Sequence, residues 1–285
     1  MPATIAPTAT SFRAADGLTL AADRWGGGDQ CVLLFHGGGQ TRHAWGGAAE
    51  RLAVAGWCAY TIDQRGHGES DWSHDGEYRI DRYAEDVRGI CRSFPRPPAV
   101  VGASLGGIAS LIAQGECEEA VLSALVLVDI TPRVERAGVE RIINFMAAKA
   151  ESGFATLEEC ADYVASYLPH RKRPKDLSGL MKNLRLGDHG RYYWHWDPRF
   201  VTNAERRMED RDPARMIAAA GRLRCPTLLV RGGSSDLVSE EVAREFLDLV
   251  PQAEFADVAG AGHMVAGDKN DAFTDAVLPF LSKHH

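Results

Sequence analysis

No run of about 18 or more apolar residues occurs anywhere in the chain, so no segment can cross a bilayer as a helix. A basic excess is also missing. The formal net charge is -7, and a surface built for nucleic acid needs clustered lysine and arginine to displace counterions from phosphates. Neither a membrane nor a nucleic acid is expected as a partner; a small-molecule substrate is. The opening MPATIAPTATSF has no basic start followed by an apolar stretch, so no secretory leader is expected and the cytoplasm is the expected compartment. Cysteine is sparse and lacks pattern. Cys31, Cys58, Cys91, Cys117, Cys160 and Cys225 include no Cys-x-x-Cys pair and no companion histidine spacing of a zinc site. They read as small buried hydrophobes, and neither a metal nor a cofactor is expected.

What the chain does have is length and apolar content: 285 residues, 45% hydrophobic, enough for a sizeable core. Short apolar runs recur at 31 to 37 (CVLLFHG), 58 to 63 (CAYTID), 99 to 104 (AVVGAS), 124 to 130 (ALVLVDI) and 226 to 233 (PTLLVRGG). Continuous rather than alternating hydrophobicity marks strands buried on both faces, as in a parallel sheet covered by helices. Between them lie helical patterns. Val242, Phe246, Leu249 and Val250 fall on one face, as do Phe273, Val277, Phe280 and Leu281 over 271 to 283. Asp16-Gly17 between two strand-like halves predicts a hairpin at the sheet's start. The alternation predicts an α/β fold with a doubly wound, mostly parallel sheet.

Residues 133 to 215 interrupt that rhythm and carry 16 Lys and Arg against 13 Asp and Glu. Helical patterns and the aromatic cluster YYWHWDPRF (192 to 200) occupy this stretch, but no apolar run suits a central strand. It reads as an inserted helical cap on a core formed by 1-132 and 216-285. Its positive balance fits a solvated helical surface, with a field that steers an anionic substrate as the alternative. Phe145, Met146, Trp194 and Trp196 are candidates for lining a substrate pocket under the cap, with plain packing as the competing explanation.

Gly102-Ala103-Ser104-Leu105-Gly106 follows the strand AVVGAS and opens a helical pattern, Leu105 to Gln114. A strand, a sharp turn and a helix lift a serine side chain out of a sheet, and the flanking glycines leave room for the turn. The competing explanation is a serine that caps the helix. A serine hydroxyl needs an imidazole to take its proton and a carboxylate to hold that imidazole. His263, in Gly260-Ala261-Gly262-His263-Met264, is the expected base. His36 and His67 lie in tight glycine turns, and His284 and His285 lie at the terminus. Asp236, just past the strand PTLLV, is the expected acid. Asp129, at the end of ALVLVD, is its rival because it could reach the same imidazole from a neighbouring strand. Asp63 is expected to tie down its own loop. Donors for a developing oxyanion are expected from the backbone N–H groups of Leu105 and Gly38, with Gly39 second.

Four segments, His36-Gly37-Gly38, Asp63-Gln64-Arg65-Gly66-His67-Gly68-Glu69-Ser70, Gly102-Ala103-Ser104-Leu105-Gly106-Gly107 and Gly262-His263, together resemble the capped α/β-hydrolase superfamily with a serine nucleophile. That group includes serine esterases, cofactor-free haloperoxidases, carbon-carbon bond hydrolases and epoxide hydrolases. The resemblance implies an eight-stranded sheet and, because Ser104 stands where epoxide hydrolases and haloalkane dehalogenases carry aspartate, it removes those two activities. The expected function is hydrolysis of a small carboxylic ester or lactone through an acyl-enzyme on Ser104. Alternatives are perhydrolysis or carbon-carbon cleavage on the same fold, and a slow-turnover small-molecule receptor. A monomer or homodimer is expected.

Overall fold

The computed structural model describes residues 5–168, 173, 175–202 and 212–284. Ten strands run in chain order: β1 Thr8–Arg13, β2 Thr19–Trp25, β3 Cys31–Phe35, β4 Cys58–Ile62, β5 Ala99–Ala103, β6 Ala124–Val128, β7 Leu184–Leu186, β8 Tyr192–Trp194, β9 Thr227–Gly232 and β10 Ala253–Val258. The helices are α1 Gly46–Val54, α2 Ile80–Arg92, α3 Leu105–Gly115, α4 Arg136–Ala147, α5 Leu157–Tyr167, α6 Ser178–Met181, α7 Arg199–Thr202, α8 Pro213–Gly221, α9 Glu240–Leu249, α10 Val265–Asp268 and α11 Asn270–Lys283.

Eight strands form one sheet in the order β1-β2-β4-β3-β5-β6-β9-β10. The β1–β2 and β2–β4 pairs are antiparallel and all others parallel. The first pair is the hairpin expected at Asp16-Gly17, where Gly17 takes φ 87°, the left-handed region that glycine enters without penalty. Each predicted apolar run is a strand, and all five residues of β6 are buried. Alternate side chains feed two core layers. Leu33, Phe35, Val100, Leu125, Leu127 and Leu229 pack with residues of α2, α3 and α8. Val32, Leu34, Val101, Val126 and Val230 pack on the other face with residues of α1 and α11. Helices on both faces are what make a strand apolar throughout.

The segment between β6 and β9 departs from the all-helical expectation. Besides α4 to α7 it holds a two-stranded antiparallel ribbon in which Leu184 pairs with Trp194 and Leu186 with Tyr192. Tyr192 also bridges to Phe154. Aromatic side chains favour the pleated, half-buried setting that such a ribbon gives them.

All six cysteines are free thiols; Cys58, Cys91 and Cys160 are buried, whereas Cys31, Cys117 and Cys225 are partly exposed. Burial pushes Cys91 and Cys160 up to about 12, so both stay protonated at neutral pH. Among the described residues no helix is long and apolar enough to cross a membrane.

Candidate active site

The sheet's central strand β5 delivers Ser104 directly onto the start of α3. Ser104 has φ 46° and ψ -110°, a conformation that L residues rarely adopt, and its side chain makes no capping hydrogen bond to the helix. That absence removes the helix-cap explanation for the serine. The glycines around it are required by close backbone approach. A Cβ on Gly102 would lie 2.6 Å from the Gly106 carbonyl oxygen, and one on Gly106 would lie 2.5 Å from the Phe35 carbonyl oxygen. A Cβ on Gly107 would lie 2.4 Å from Ile130 Cγ2. The turn therefore packs against β3 and the residues after β6 with no room for a side chain.

His263 follows β10 in the loop leading to α10. Its Nδ1 lies 2.8 Å from Asp129 Oδ2. The sequence had favoured Asp236 as this partner, and the structure instead brings Asp129, the rival, to the imidazole. Asp129 is fully buried and directly follows β6 with φ 50°. Its Oδ1 accepts a hydrogen bond from the Gly232 N–H at 3.0 Å, and its Oδ2 accepts one from the Ser235 hydroxyl at 2.6 Å as well as facing His263. The physical reason is the sheet order. β6 and β9 are hydrogen-bonded neighbours, so both strand ends open toward the same place. The backbone at Asp129 turns its carboxylate under the imidazole. Asp236 lies further along the loop after β9 and meets the Arg141 guanidinium of α4 as an ion pair, without a well-angled hydrogen bond.

The loop after β3 carries Gly37, Gly38 and Gly39. The Gly37 N–H donates to Gln40 Oε1 at 2.9 Å, and the Gly39 N–H donates to His67 Nε2 at 3.1 Å. Among the described residues no acceptor meets the Gly38 N–H, which leaves it available where Gly39's is occupied. His67 Nδ1 faces the Arg65 carbonyl at 3.0 Å, which suits a ring that donates from Nδ1 and accepts the Gly39 N–H at Nε2. His36 works the same way one layer below: Nδ1 faces the Gly37 carbonyl at 2.8 Å and Nε2 accepts from the Gln64 N–H at 3.1 Å. Complete burial holds the His36 imidazole below its ordinary titration range, against the pull of Asp63. Asp63 accepts hydrogen bonds from the backbone N–H groups of Glu69 and Arg42 and pairs with the Arg42 guanidinium. The Asp63-to-Ser70 motif is therefore scaffolding for the glycine loop.

Ser104, His263, Gly38 and Leu105 line one cavity of about 610 Å³. The wall is largely apolar, and the segment between β6 and β9 contributes a large part of it alongside the loops after β3, β9 and β10. Phe145, Met146, Trp194 and Trp196 all contribute to it. Phe145 stacks on Tyr167 with ring centroids 4.1 Å apart, and Met146 reaches over Gly39, where its Cε is 2.7 Å from the place a Cβ would take. Trp194 and Trp196 are more than nine-tenths buried, so they serve the wall and the packing of the segment together. Arg141, Tyr167 and Asp236 form a polar group on the same wall. Burial, reinforced by the nearby Asp236 carboxylate, raises the Tyr167 hydroxyl above its ordinary value.

The sequence profile of the family described as alpha/beta hydrolase fold matches residues 30–269. The chain belongs to the α/β-hydrolase family.

This α/β-hydrolase is 30% identical to the esterase Rv0045c of Mycobacterium tuberculosis over 268 residues, covering 92% of its own chain and 86% of that protein. A solved structure of the M. tuberculosis esterase superposes with a TM-score of 0.77 at 27% identity, covering 98% of this chain and 93% of that one. The 2-(acetamidomethylene)succinate hydrolase of Mesorhizobium japonicum is 28% identical, with 90% and 89% of the two chains covered. The crystal structure of E-2-(acetamidomethylene)succinate hydrolase gives a TM-score of 0.85 at 24% identity, over 97% of this chain and all of that one; this last likeness is one of fold.

Several residues that shape the hydrolase's cavity escaped the sequence. Arg141 and Tyr167 lie on α4 and α5 with no motif to mark them. Ser235 likewise carried no sequence signal, and it is the fold that sets its hydroxyl on Asp129. Asp129 alone carried a readable signal, as a carboxylate ending a buried strand.

Proposed function

We propose that this α/β-hydrolase cleaves a small carboxylic ester or lactone through an acyl-enzyme on Ser104, with His263 as the base and Asp129 as the acid. The observation that carries this reading is the His263–Asp129 contact of 2.8 Å beside a cavity that also exposes a strained serine freed from capping. With Nδ1 committed to Asp129, the imidazole keeps Nε2 for the Ser104 proton. The hydroxyl oxygen attacks the substrate carbonyl as its proton passes to His263. The N–H groups of Gly38 and Leu105 receive the oxyanion, and His263 returns the proton to the departing alkoxide. Water activated by the same imidazole then releases the acid. Losing one oxyanion donor in such a site costs on the order of 3 kcal/mol of barrier. The described residues between β6 and β9 act as a cap that adds apolar wall to the cavity and helps exclude water.

The esterase from M. tuberculosis supports the reaction class. A second reading concerns the substrate's charge. The M. japonicum relative is named for a succinate derivative, and Arg141 is the one lysine or arginine among the described residues lining this cavity. A carboxylate on the substrate would find its counter-charge there once Asp236 gives way.

A fluorophosphonate probe tests the central claim. Labelling is expected at Ser104 in the parent protein, and its loss is expected in Ser104→Ala and His263→Ala. A folded protein that takes no label overturns the hydrolase reading.

A further inference from the structure

The Ser235 hydroxyl sits at a junction of three hydrogen bonds. Its oxygen accepts from the Leu237 N–H at 3.0 Å and from the Val238 N–H at 3.2 Å. Asp129 Oδ2 lies 2.6 Å away on the remaining side. A serine hydroxyl has two acceptor positions and one proton. With both acceptor positions filled by amides, the proton has a single direction left, toward Asp129. The hydroxyl is thereby fixed as a donor by the backbone of its own loop, and no rotation is needed when charge moves during the reaction.

The loop itself is held from behind. Arg231 Nε donates to the Val238 carbonyl at 2.7 Å, and its other arm pairs with Asp257 at 3.0 Å. The Ser235 N–H donates to the Gly232 carbonyl at 2.8 Å and the Ser234 N–H to the Ala261 carbonyl at 2.8 Å, tying this loop to the one that carries His263. The charged groups around the pair are Arg231 and Asp257 behind the loop, and Asp236 with Arg141 on the cavity side. Asp268 of α10 accepts from the Gly262 N–H at 2.9 Å.

We propose that Ser235 is a positioning residue of the catalytic apparatus, acting through Asp129: it holds the carboxylate and, by donating to the oxygen that also faces Nδ1, limits how strongly Asp129 retains the protonated imidazole. This rests on the reading of Asp129 as the acid. Two effects follow from removing the hydroxyl. The carboxylate gains rotational freedom, which lowers turnover. Its charge is also shared with one donor fewer, so the imidazolium is held more tightly and the base is free only at higher pH.

The test compares the parent protein with Ser235→Ala, Ser235→Thr and Asp129→Asn on a p-nitrophenyl ester from pH 5 to 9. For Ser235→Ala, kcat/KM is expected to fall about tenfold, in line with the loss of one hydrogen bond to a charged group. The acid limb of its pH profile is expected to move up by about half a unit or more. Ser235→Thr, which keeps the hydroxyl, is expected to restore the limb. If Ser235→Ala does not fold, Ser235→Cys, a near-isosteric and weaker donor, is read by the same limb. A limb that stays in place in Ser235→Ala or Ser235→Cys, or a Thr variant whose limb moves as far as the Ala variant's, overturns the proposal. Full activity in Asp129→Asn overturns the acid assignment itself, and so identifies that failure separately.

Discussion

At the scale of single residues, two aspartates follow neighbouring parallel strands, Asp129 directly after β6 and Asp236 further along the loop after β9, and only Asp129 meets the imidazole. Asp129 is buried against His263, Ser235 and the Gly232 amide, whereas Asp236 faces Arg141 in the cavity. Asparagine at 129 offers an NH₂ group where His263 needs an acceptor and stabilises the wrong tautomer. Asp129→Asn is expected to lower kcat on the order of 10⁴-fold. Asp236→Asn is expected to leave kcat within a few-fold. Because it releases Arg141 from its ion pair, it is expected to lower KM for a monoester of succinic acid relative to a neutral ester of equal length. Steady-state kinetics on that matched ester pair decides both points. An Asp236 variant as crippled as the Asp129 one would return Asp236 to the triad.

At the scale of elements, close backbone approach fixes the turn that carries Ser104. The start of α3 presses so closely on β3 that Gly106 cannot carry a Cβ without shifting one of the two. Gly106→Ala is therefore expected to cost about 1–3 kcal/mol of stability, the usual penalty for overpacking a dense interior. A urea denaturation midpoint measures this. The same variant is expected to label more slowly with fluorophosphonate, because any relief moves Ser104. An unchanged midpoint would mean that the turn has slack the structure does not show. Met146 over Gly39 couples α4 to the glycine loop in a similar way. The segment above the sheet thus reaches the loop that carries Gly38 and Gly39.

For the molecule as a whole, buried neutral histidines make stability depend on pH. Burial depresses the folded-state titration of His36 and of the half-buried His195. A histidine ordinarily titrates near about 6.5. Between that value and the depressed one, the unfolded chain binds protons that the folded chain refuses. Stability is complete above about pH 6.5 and declines as pH falls below it. The urea midpoint is expected to hold steady from pH 7.5 to 8.5 and to drop progressively at pH 6 and pH 5. His36→Asn is expected to flatten that slope. An equal midpoint at pH 5 and pH 7.5 would show that neither histidine contributes.

The sequence alone determined the elements whose signal is local. Five apolar runs became the parallel strands because burial on both faces demands uninterrupted hydrophobicity. Asp16-Gly17 became the first hairpin, and the glycines of Gly102 to Gly106 marked a turn that only a missing Cβ permits. Ser104 and His263 were readable because each stands beside such glycines at the end of a strand. Which aspartate meets the imidazole was a matter of tertiary structure. Asp129 and His263 are 134 residues apart in the chain. Their meeting depends on β6 lying next to β9 in the sheet and on the positive φ at Asp129. The ribbon of β7 and β8, the Arg141–Asp236 pair and the serine that steadies Asp129 were likewise settled by packing between distant segments, where spacing along the chain carries no information.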